Sequence, residues 1–124
     1  MDIIDLVNED LCQVNLKAKN KEDLLNKIAT IFTKKYQHIP EAKIFDVLLE
    51  REKLGSTGFG EGLAIPHAKL DNIQSFAICI VTLKKPIEYD SIDKKKVKIV
   101  VAILGPTDRQ KHYLKLLAQV SKII

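Results

Sequence analysis

The sequence predicts a single α/β domain, an α+β sandwich in which a mixed β-sheet is flanked by helices on both faces. Helical periodicity occupies two segments before residue 55 and one after residue 106, and strand-like apolar runs lie between them. Two of these runs, 75–83 and 97–105, are apolar almost throughout, which is typical of strands covered on both faces. A chain of 124 residues is also long enough to bury a substantial core.

The first two predicted elements are a strand and a helix. Residues 13–18 alternate weakly between polar and apolar types and predict a short strand. Residues 20–36 predict an amphipathic helix, with Asn20 as its N-cap and the acidic Glu22 and Asp23 in its first turn. The apolar positions of this helix follow helical spacing: Leu24, Leu25, Ile28, Ile31 and Phe32.

A second helix is expected to begin at a proline and to end at a glycine. Pro40 suits the start of a helix, and the pattern continues through 41–54. Gly55 can end the helix because glycine accepts the left-handed backbone that often follows a helical segment. A glycine-rich stretch then leads into a short strand at 62–66.

The second half of the chain predicts a pair of strands and a final helix. The buried strand at 75–83 is expected to give way to a turn and an edge over 83–89. The second buried strand, 97–105, runs into a helix predicted to start at Pro106 and Thr107 and to continue to the end of the sequence. The order is therefore strand, two helices, several strands and a helix, which is the order that predicts the sandwich.

The charge balance is mildly basic, with a formal net charge of +4 at pH 7. The densest lysine run is 93–98, and no aromatic residue interleaves with it to stack on bases. A solvated surface loop is therefore favoured, and no nucleic-acid partner is expected. A small nucleic-acid binder stays open as an alternative that rests on net charge alone.

Composition also indicates the cellular compartment of the protein. No apolar run approaches the roughly 20 residues that a membrane-spanning helix needs, and the first ten residues are acidic and polar, unlike a signal peptide. Cys12 and Cys79 form neither a CxxC motif nor a zinc spacing, and Cys79 lies in an apolar run typical of a small core residue. We expect a reduced, cytoplasmic protein without direct membrane insertion.

The segment GEGLAIPHAKL, residues 60–70, places a histidine directly after a proline. Pro66 fixes its own backbone and keeps Ile65 extended, so His67 is expected on a constrained backbone at the end of a strand. A neutral imidazole has a free nitrogen lone pair near pH 7, which suits a nucleophile. The residues alone leave two interpretations open, a nucleophile or a histidine that merely ends a strand. The three histidines show no metal-ligand spacing, and neither GxSxG nor a Walker A motif occurs.

Residues 52–68, EKLGSTGFGEGLAIPHA, resemble the phosphohistidine segment of the type 2 enzyme IIA domains. These domains belong to the bacterial phosphoenolpyruvate-dependent sugar phosphotransferase system, in its fructose/mannitol family, which includes the nitrogen-regulatory IIA proteins. The stretches LLEREKLGSTG at 48–58 and KHYLKLLAQVSKII at 111–124 agree as well, so the resemblance covers nearly the whole chain. The fold of that family is similar to the sandwich predicted above.

The resemblance implies roles for three residues. His67 corresponds to the histidine that accepts the phosphoryl group, Arg51 to the active-site arginine and His112 to the second active-site histidine. Without the resemblance, the residues favour a surface position in a charged helix end for Arg51 and an ordinary position in the first turn of a helix for His112. The glycine-rich loop offers further phosphate donors, or merely ordinary turn chemistry: Ser56, Thr57 and Gly58. No acidic cluster suggests a metal, and no cofactor is implied.

The resemblance also implies partners. A type 2 IIA domain takes a phosphoryl group from the phosphohistidine of HPr and passes it to a IIB component of a fructose- or mannitol-type transporter. The alternative is a signalling protein similar to the nitrogen-regulatory IIA proteins, in which phosphorylation of His67 controls binding to a regulatory target protein. The sequence does not distinguish sugar transport from signalling, because both would use phosphorylation of His67.

The end of the sequence departs from the pattern of the family, whose members usually continue for about one more helix. Apolar residues follow helical spacing over 113–124, and the sequence stops on Ile123 and Ile124 without a glycine cap. We expect residues 1–124 to form a single type 2 IIA domain that lacks its C-terminal helix. Surface left uncovered by such a helix is expected to promote association into a homo-oligomer. The alternative is that the two isoleucines complete the core.

Overall fold

The structure, a computed structural model, describes residues 3–122. Two short 3₁₀ turns, Ile3–Leu6 and Glu9–Leu11, precede the regular elements. These are, in chain order, β1 (Cys12–Leu16), α1 (Lys21–Phe32), α2 (Glu41–Lys53), β2 (Gly58–Gly60), β3 (Leu63–Ala64), β4 (His67–Leu70), β5 (Ala77–Ile87), β6 (Val97–Pro106) and α3 (Gln110–Ser121).

The six strands form one mixed sheet with the order β1-β5-β6-β3-β2, and β4 also pairs with β6. β5 and β6 are antiparallel, whereas β1 runs parallel to β5, and both β3 and β4 run parallel to β6. The two longest strands are therefore the centre of the sheet, as their nearly continuous apolar sequence predicts.

Helices cover both faces of this sheet, so the predicted fold class is confirmed. One face packs against the apolar sides of α1 and α2 and forms the larger core, which contains Leu24, Leu25, Ile28, Phe32 and Leu48. The opposite face packs against α3, where Tyr113, Leu116 and Val120 meet Phe76, Ile78 and Ile103 in a second, smaller core. Cys79 is fully buried in the larger core, as its apolar neighbours predict.

The predicted helix starts are close to the observed ones. Asn20 caps α1, because its side-chain oxygen accepts a hydrogen bond from the backbone N–H of Asp23 at 2.8 Å. Pro40 stands at the N-cap of α2. Gly55, with φ of +155°, follows two residues after the end of that helix. Local sequence signals thus place the starts of both helices.

Several expectations about boundaries are wrong. α1 ends at Phe32 rather than at residue 36, and the strand predicted over 62–66 covers only Leu63–Ala64. Residues 83–89 do not form a turn, because β5 continues to the buried Ile87, which pairs again with Val97 beyond a break in register. The last helix begins at Gln110 rather than at residue 107. Pro106 is still paired with Leu70 in the sheet, so a turn must follow before a helix can start.

The predicted terminal pair Ile123 and Ile124 lies outside the described residues, so the expectation of a missing helix stays a prediction. Within residues 3–122, an apolar groove of about 390 Å³ opens between the first 3₁₀ turn, the sheet and the end of α3. Its lining includes Ile4, Val7 and Ile99, all of which are exposed. None of the helices in this part of the chain is long and apolar enough to cross a membrane.

Candidate active site

His67 is the first residue of β4, not the last residue of a strand as the sequence suggests. Pro66 cannot donate to the sheet, so it separates β3 from β4, and both strands pair with β6. The bend is held on both sides: the N–H of Ile65 donates to the carbonyl of Thr57 at 2.9 Å, and the N–H of Ile103 donates to that of Pro66 at 2.9 Å. The imidazole therefore leaves a backbone that is fixed in position.

The ring of His67 has a defined tautomer. Nδ1 lies 2.7 Å from the carbonyl oxygen of Ile65, and because a carbonyl only accepts, the proton is assigned to Nδ1. Nε2 consequently carries the free lone pair. Half-burial lowers the pKa of His67 more than the hydrogen bond to Ile65 raises it, and the nearby Arg51 charge lowers it further. The ring is thus neutral near pH 7, with a nucleophilic Nε2.

Arg51 lies in the last turn of α2 beside His67. Its Nη1 donates to the carbonyl of Gly55 at 2.9 Å, which ties the guanidinium to the loop that follows the helix. Among residues 3–122, no carboxylate lies within ion-pair distance of this side chain. A guanidinium has five N–H donors, so most of them remain available to an anion next to the histidine.

Two open depressions meet at His67 and Arg51, which line both. The α2 depression, of about 540 Å³, is also lined by Asp46, Val47, Glu50, Leu54, Ala68, Lys69 and Tyr113. The loop depression, of about 240 Å³, is also lined by Ser56, Thr57, Gly58, Phe59, Ile65, Ile92, Leu117 and Ser121. Leu54, 85% exposed, lines the α2 depression, and Ile92, 86% exposed, lines the loop depression. A broad apolar surface around a charged centre is suited to contact with another protein.

The predicted phosphate donors of the glycine-rich loop line the loop depression but already have partners. The hydroxyl of Ser56 donates to the carbonyl of Tyr89 at 2.8 Å, and that of Thr57 lies 2.6 Å from Glu52 Oε1. The N–H of Gly58 donates to Ser56 Oγ at 3.0 Å. Since each hydroxyl has one proton, Ser56 and Thr57 could donate to a phosphate only by giving up their present hydrogen bonds. Their role in phosphate binding stays a prediction.

A buried carboxylate that the sequence analysis did not single out organises this loop. Glu52 Oε2 accepts from Lys21 Nζ at 3.0 Å and from the N–H of Thr57 at 2.9 Å, and Oε1 accepts from the hydroxyls of Thr57 and Tyr89. Lys21 also lies over the ring of Tyr89, 4.4 Å from its centroid. Burial, and then the charge of Glu52, raise the pKa of the Tyr89 hydroxyl. The cluster joins α1, α2 and the loop before β2, directly behind Arg51.

The structure does not bring His112 together with His67 and Arg51. His112 is exposed in the first turn of α3, its ring centroid is 6.5 Å from that of Phe76, and it lines neither depression. The next residue, Tyr113, instead packs on His67 with 5.8 Å between ring centroids. The catalytic role of His112 therefore stays a prediction.

The metal-ligating side chains of residues 3–122 do not converge. No group of three or more histidine, cysteine, aspartate or glutamate residues in this range could hold a metal ion. The charged group beside the nucleophile is instead a side chain of the chain itself, Arg51. The chemistry that this arrangement can perform is nucleophilic attack by Nε2 on an anionic group held by a guanidinium.

Comparison with known proteins gives matches over nearly the full length. A family model described as "Phosphoenolpyruvate-dependent sugar phosphotransferase system, EIIA 2" matches residues 5–124. A nitrogen regulatory protein of Pseudomonas aeruginosa is 34% identical over 111 residues, which are 90% of this chain and 72% of that protein. The crystal structure of the nitrogen regulatory protein IIA-Ntr from Neisseria meningitidis matches with a TM-score of 0.88 and 24% identity, over 93% of this chain and 78% of that one. A complex of enzyme IIAMTL and phosphorylated enzyme IIBMTL from Escherichia coli matches with a TM-score of 0.72 and 15% identity, over 94% and 81% of the two chains.

Proposed function

The chain belongs to the EIIA 2 family of the phosphoenolpyruvate-dependent sugar phosphotransferase system, and from that premise we propose that it is a phosphocarrier that accepts a phosphoryl group on Nε2 of His67. The observation that carries the proposal is the hydrogen bond from Nδ1 to the carbonyl of Ile65. It leaves Nε2 unprotonated and directed away from the backbone that holds the ring.

The proposed step is a transfer between two histidines. The Nε2 lone pair of His67 attacks the phosphorus of a phosphohistidine on a donor protein, and a new N–P bond forms. The N–P bond of the donor breaks, and its electron pair returns to the donor imidazole nitrogen. His67 keeps the proton on Nδ1 and its bond to Ile65, so the phosphorylated ring is cationic and no proton has to leave the site.

Arg51 is the residue that stabilises the transferred group in this proposal. Phosphoryl transfer passes through a loose transition state whose charge is spread over three equatorial oxygens, so catalysis consists mainly of positioning and charge stabilisation. The guanidinium can donate two parallel hydrogen bonds to such oxygens. Because Gly55 holds one end of the guanidinium at 2.9 Å, its position does not have to be established anew during the reaction.

The donor in this proposal is the phosphohistidine of HPr, and the acceptor is a IIB component of a sugar transporter. Two open depressions meet at His67, and each is lined by an exposed apolar side chain, Leu54 in one and Ile92 in the other. A macromolecular donor can therefore reach the ring without first opening the fold. The solved complex that pairs a IIA with a phosphorylated IIB has the same fold for its IIA, which supports a IIB acceptor here.

The relatives favour a second use of the same site. The proteins from Pseudomonas aeruginosa and Neisseria meningitidis reported above are both nitrogen regulatory proteins. In this candidate function, phosphorylation of His67 controls binding to a regulatory target instead of feeding a transporter. A doubly charged phosphoryl group between the two depressions would change the charge of this surface at its centre.

Phosphorylation by phospho-HPr tests the proposal. His67→Ala should abolish formation of the phosphoprotein, and His38→Ala, a histidine outside the site, should leave it unchanged. Phosphorus NMR of the product should show attachment at Nε2. Wild-type phosphorylation of the His67 variant, or attachment at Nδ1, would contradict the mechanism. A pull-down with phosphorylated and unphosphorylated protein then separates the two uses, since a IIB partner indicates transport and a kinase or transporter subunit indicates regulation.

A further inference from the structure

A second concave site lies away from the histidine and is lined almost entirely by lysines. It is called here the lysine depression, has a volume of about 520 Å³ and is lined by Lys17, Ala18, Lys19, Lys27, Lys84 and Lys85. The lysines come from three places in the fold: the segment after β1, the middle of α1 and the distal part of β5. This volume is within the range of small-molecule sites in proteins.

The lysine depression is distinct from the site at His67. His67 is level with Ile78 of β5, through their shared pairing with Ile103. Lys84 lies six residues farther along the same strand, which at the rise of a β-strand corresponds to roughly 20 Å. A ligand of moderate size therefore cannot occupy both places at once.

The charge of the depression is hardly neutralised. Lys27 pairs with Asp23 at 3.3 Å, whereas the other four lysines have no ion pair within residues 3–122. Five lysines against the one carboxylate of Asp23 give this part of the surface a formal charge of +4. Grouping like charges in this way costs stability unless an anion offsets it.

β5, which carries two of these lysines, and β1, which precedes two others, are both irregular beside the depression. The pairing of β1 with β5 shifts register between Gln13 and Leu16, where Asn15 has φ of +57°. The pairing of β5 with β6 shifts between Thr82 and Ile87, which brackets Lys84 and Lys85. Such irregularities re-aim side chains and are common beside functional sites.

We propose that the lysine depression binds a small polyanion that carries several phosphate groups. Five lysines line this one concavity, and four of them have no ion pair within residues 3–122, which matches a ligand with three or more negative charges. The ammonium of Lys27 also donates to the carbonyl of Lys17. Lysine is a point-charge donor that commonly binds phosphate. No arginine lines the site, so the planar fork that recognises single carboxylates is absent there. No aromatic side chain lines it either, so recognition rests on the phosphates and not on a base. The concave shape favours a small ligand over a membrane surface.

Calorimetric titration of the 124-residue protein with tripolyphosphate tests the proposal. We expect saturable binding of one equivalent that weakens strongly as salt is raised from 20 to 150 mM. Lys84→Gln/Lys85→Gln should weaken binding at least tenfold. The matched control is Lys43→Gln/Lys115→Gln, two exposed lysines outside the depression, which lowers the net charge by the same amount and should change affinity less than twofold. Equal loss in both double variants, or no saturable binding, would overturn the proposal.

Amide NMR shifts locate the ligand independently of the proposed phosphocarrier function. Changes confined to residues 16–19, 26–28 and 83–87, retained in Arg51→Ala, are the expected result. Changes centred on Arg51 and His67 would assign the anion to the phosphoryl site and overturn the proposal. Binding to phosphatidylglycerol vesicles is measured last. If the protein bound these vesicles through Lys84 and Lys85 but did not bind tripolyphosphate, the proposal would be overturned in favour of a membrane surface.

Discussion

Replacing Glu52 tests whether the buried carboxylate holds the active-site loop in place. Its four hydrogen bonds join Lys21, Thr57 and Tyr89, and its side chain is only 4% exposed. Glu52→Gln keeps the shape but removes the charge from the bonds. Hydrogen bonds to charged groups contribute about 1 kcal/mol more than neutral ones. Because the hydroxyls of Thr57 and Tyr89 can reverse and accept from the new amide, the loss falls mainly on the two bonds at Oε2.

That reasoning gives about 2 kcal/mol lost from the free energy of unfolding for Glu52→Gln. Glu52→Ala should cost more, about 3–5 kcal/mol, because it removes one partner of a buried ion pair and leaves buried donors without an acceptor. Lys21 retains 21% exposure and can turn to water, which keeps the value at the lower end of that range. The loosened loop should also slow phosphoryl transfer, since Glu52 directly follows Arg51 in the sequence and bonds to Thr57 of the loop.

Urea unfolding followed by circular dichroism measures these differences, and phosphorylation by phospho-HPr measures the effect on transfer. Glu50→Gln is the matched control, because Glu50 pairs with Lys53 at 3.2 Å but is 71% exposed. An exposed pair of this kind contributes about 0–0.5 kcal/mol. If Glu52→Gln were as mild as Glu50→Gln, the buried network would not stabilise the loop and the reasoning would be refuted.

Three further predictions concern the site and the surface. The proton NMR titration of His67 should have a midpoint below 6.5. The unfolded chain then binds this proton at a higher pH than the native protein does. The free energy of unfolding should therefore fall as the pH drops through 6.5 towards the native pKa. A midpoint at or above 6.5 would disprove this. Arg51→Ala should slow transfer by the equivalent of about 1.5–3 kcal/mol, with Arg51→Lys restoring only part of the rate. The role that the family implies for His112 predicts slower transfer in His112→Ala as well, although His112 lines neither depression; rates within twofold of wild type would show that the family's roles do not apply at these positions. Sedimentation should reveal self-association through the apolar groove, which Ile99→Glu abolishes and Ile92→Glu, outside the groove, does not; a monomeric wild-type protein would contradict it.

Local signals account for most of what the sequence predicts correctly. The cap at Asn20, the helix start at Pro40 and the continuous apolar runs of β5 and β6 each depend on neighbouring residues, and the structure confirms them. The errors arise where tertiary pairing decides the boundary. Ile87 returns to the sheet because Val97 is opposite it, and no pattern within 83–89 reveals that partner.

The candidate site likewise contains residues that the sequence predicts and residues that it does not. The motif identifies His67 and Arg51, and the structure places them side by side. Glu52 was missed because its partners Lys21 and Tyr89 are 31 and 37 residues away, a distance at which one sequence gives no signal. The lysine depression was missed for a similar reason. Its five lysines are scattered over 17–85 and are not the densest lysine run, which lies at 93–98.

The acceptor that sets the tautomer of His67 is a main-chain atom, and this makes the position of the free lone pair on Nε2 robust to genetic change. Every amino acid at position 65 supplies the same carbonyl, so no single substitution there deletes the acceptor, as the loss of a carboxylate would in a histidine–aspartate pair. A carbonyl also does not titrate, so acidification cannot switch the tautomer through its partner. Only a change in the course of the backbone, most directly at Pro66, can redirect the proton. The course of the backbone, and not the identity of a particular side chain, therefore determines which nitrogen of His67 carries the lone pair.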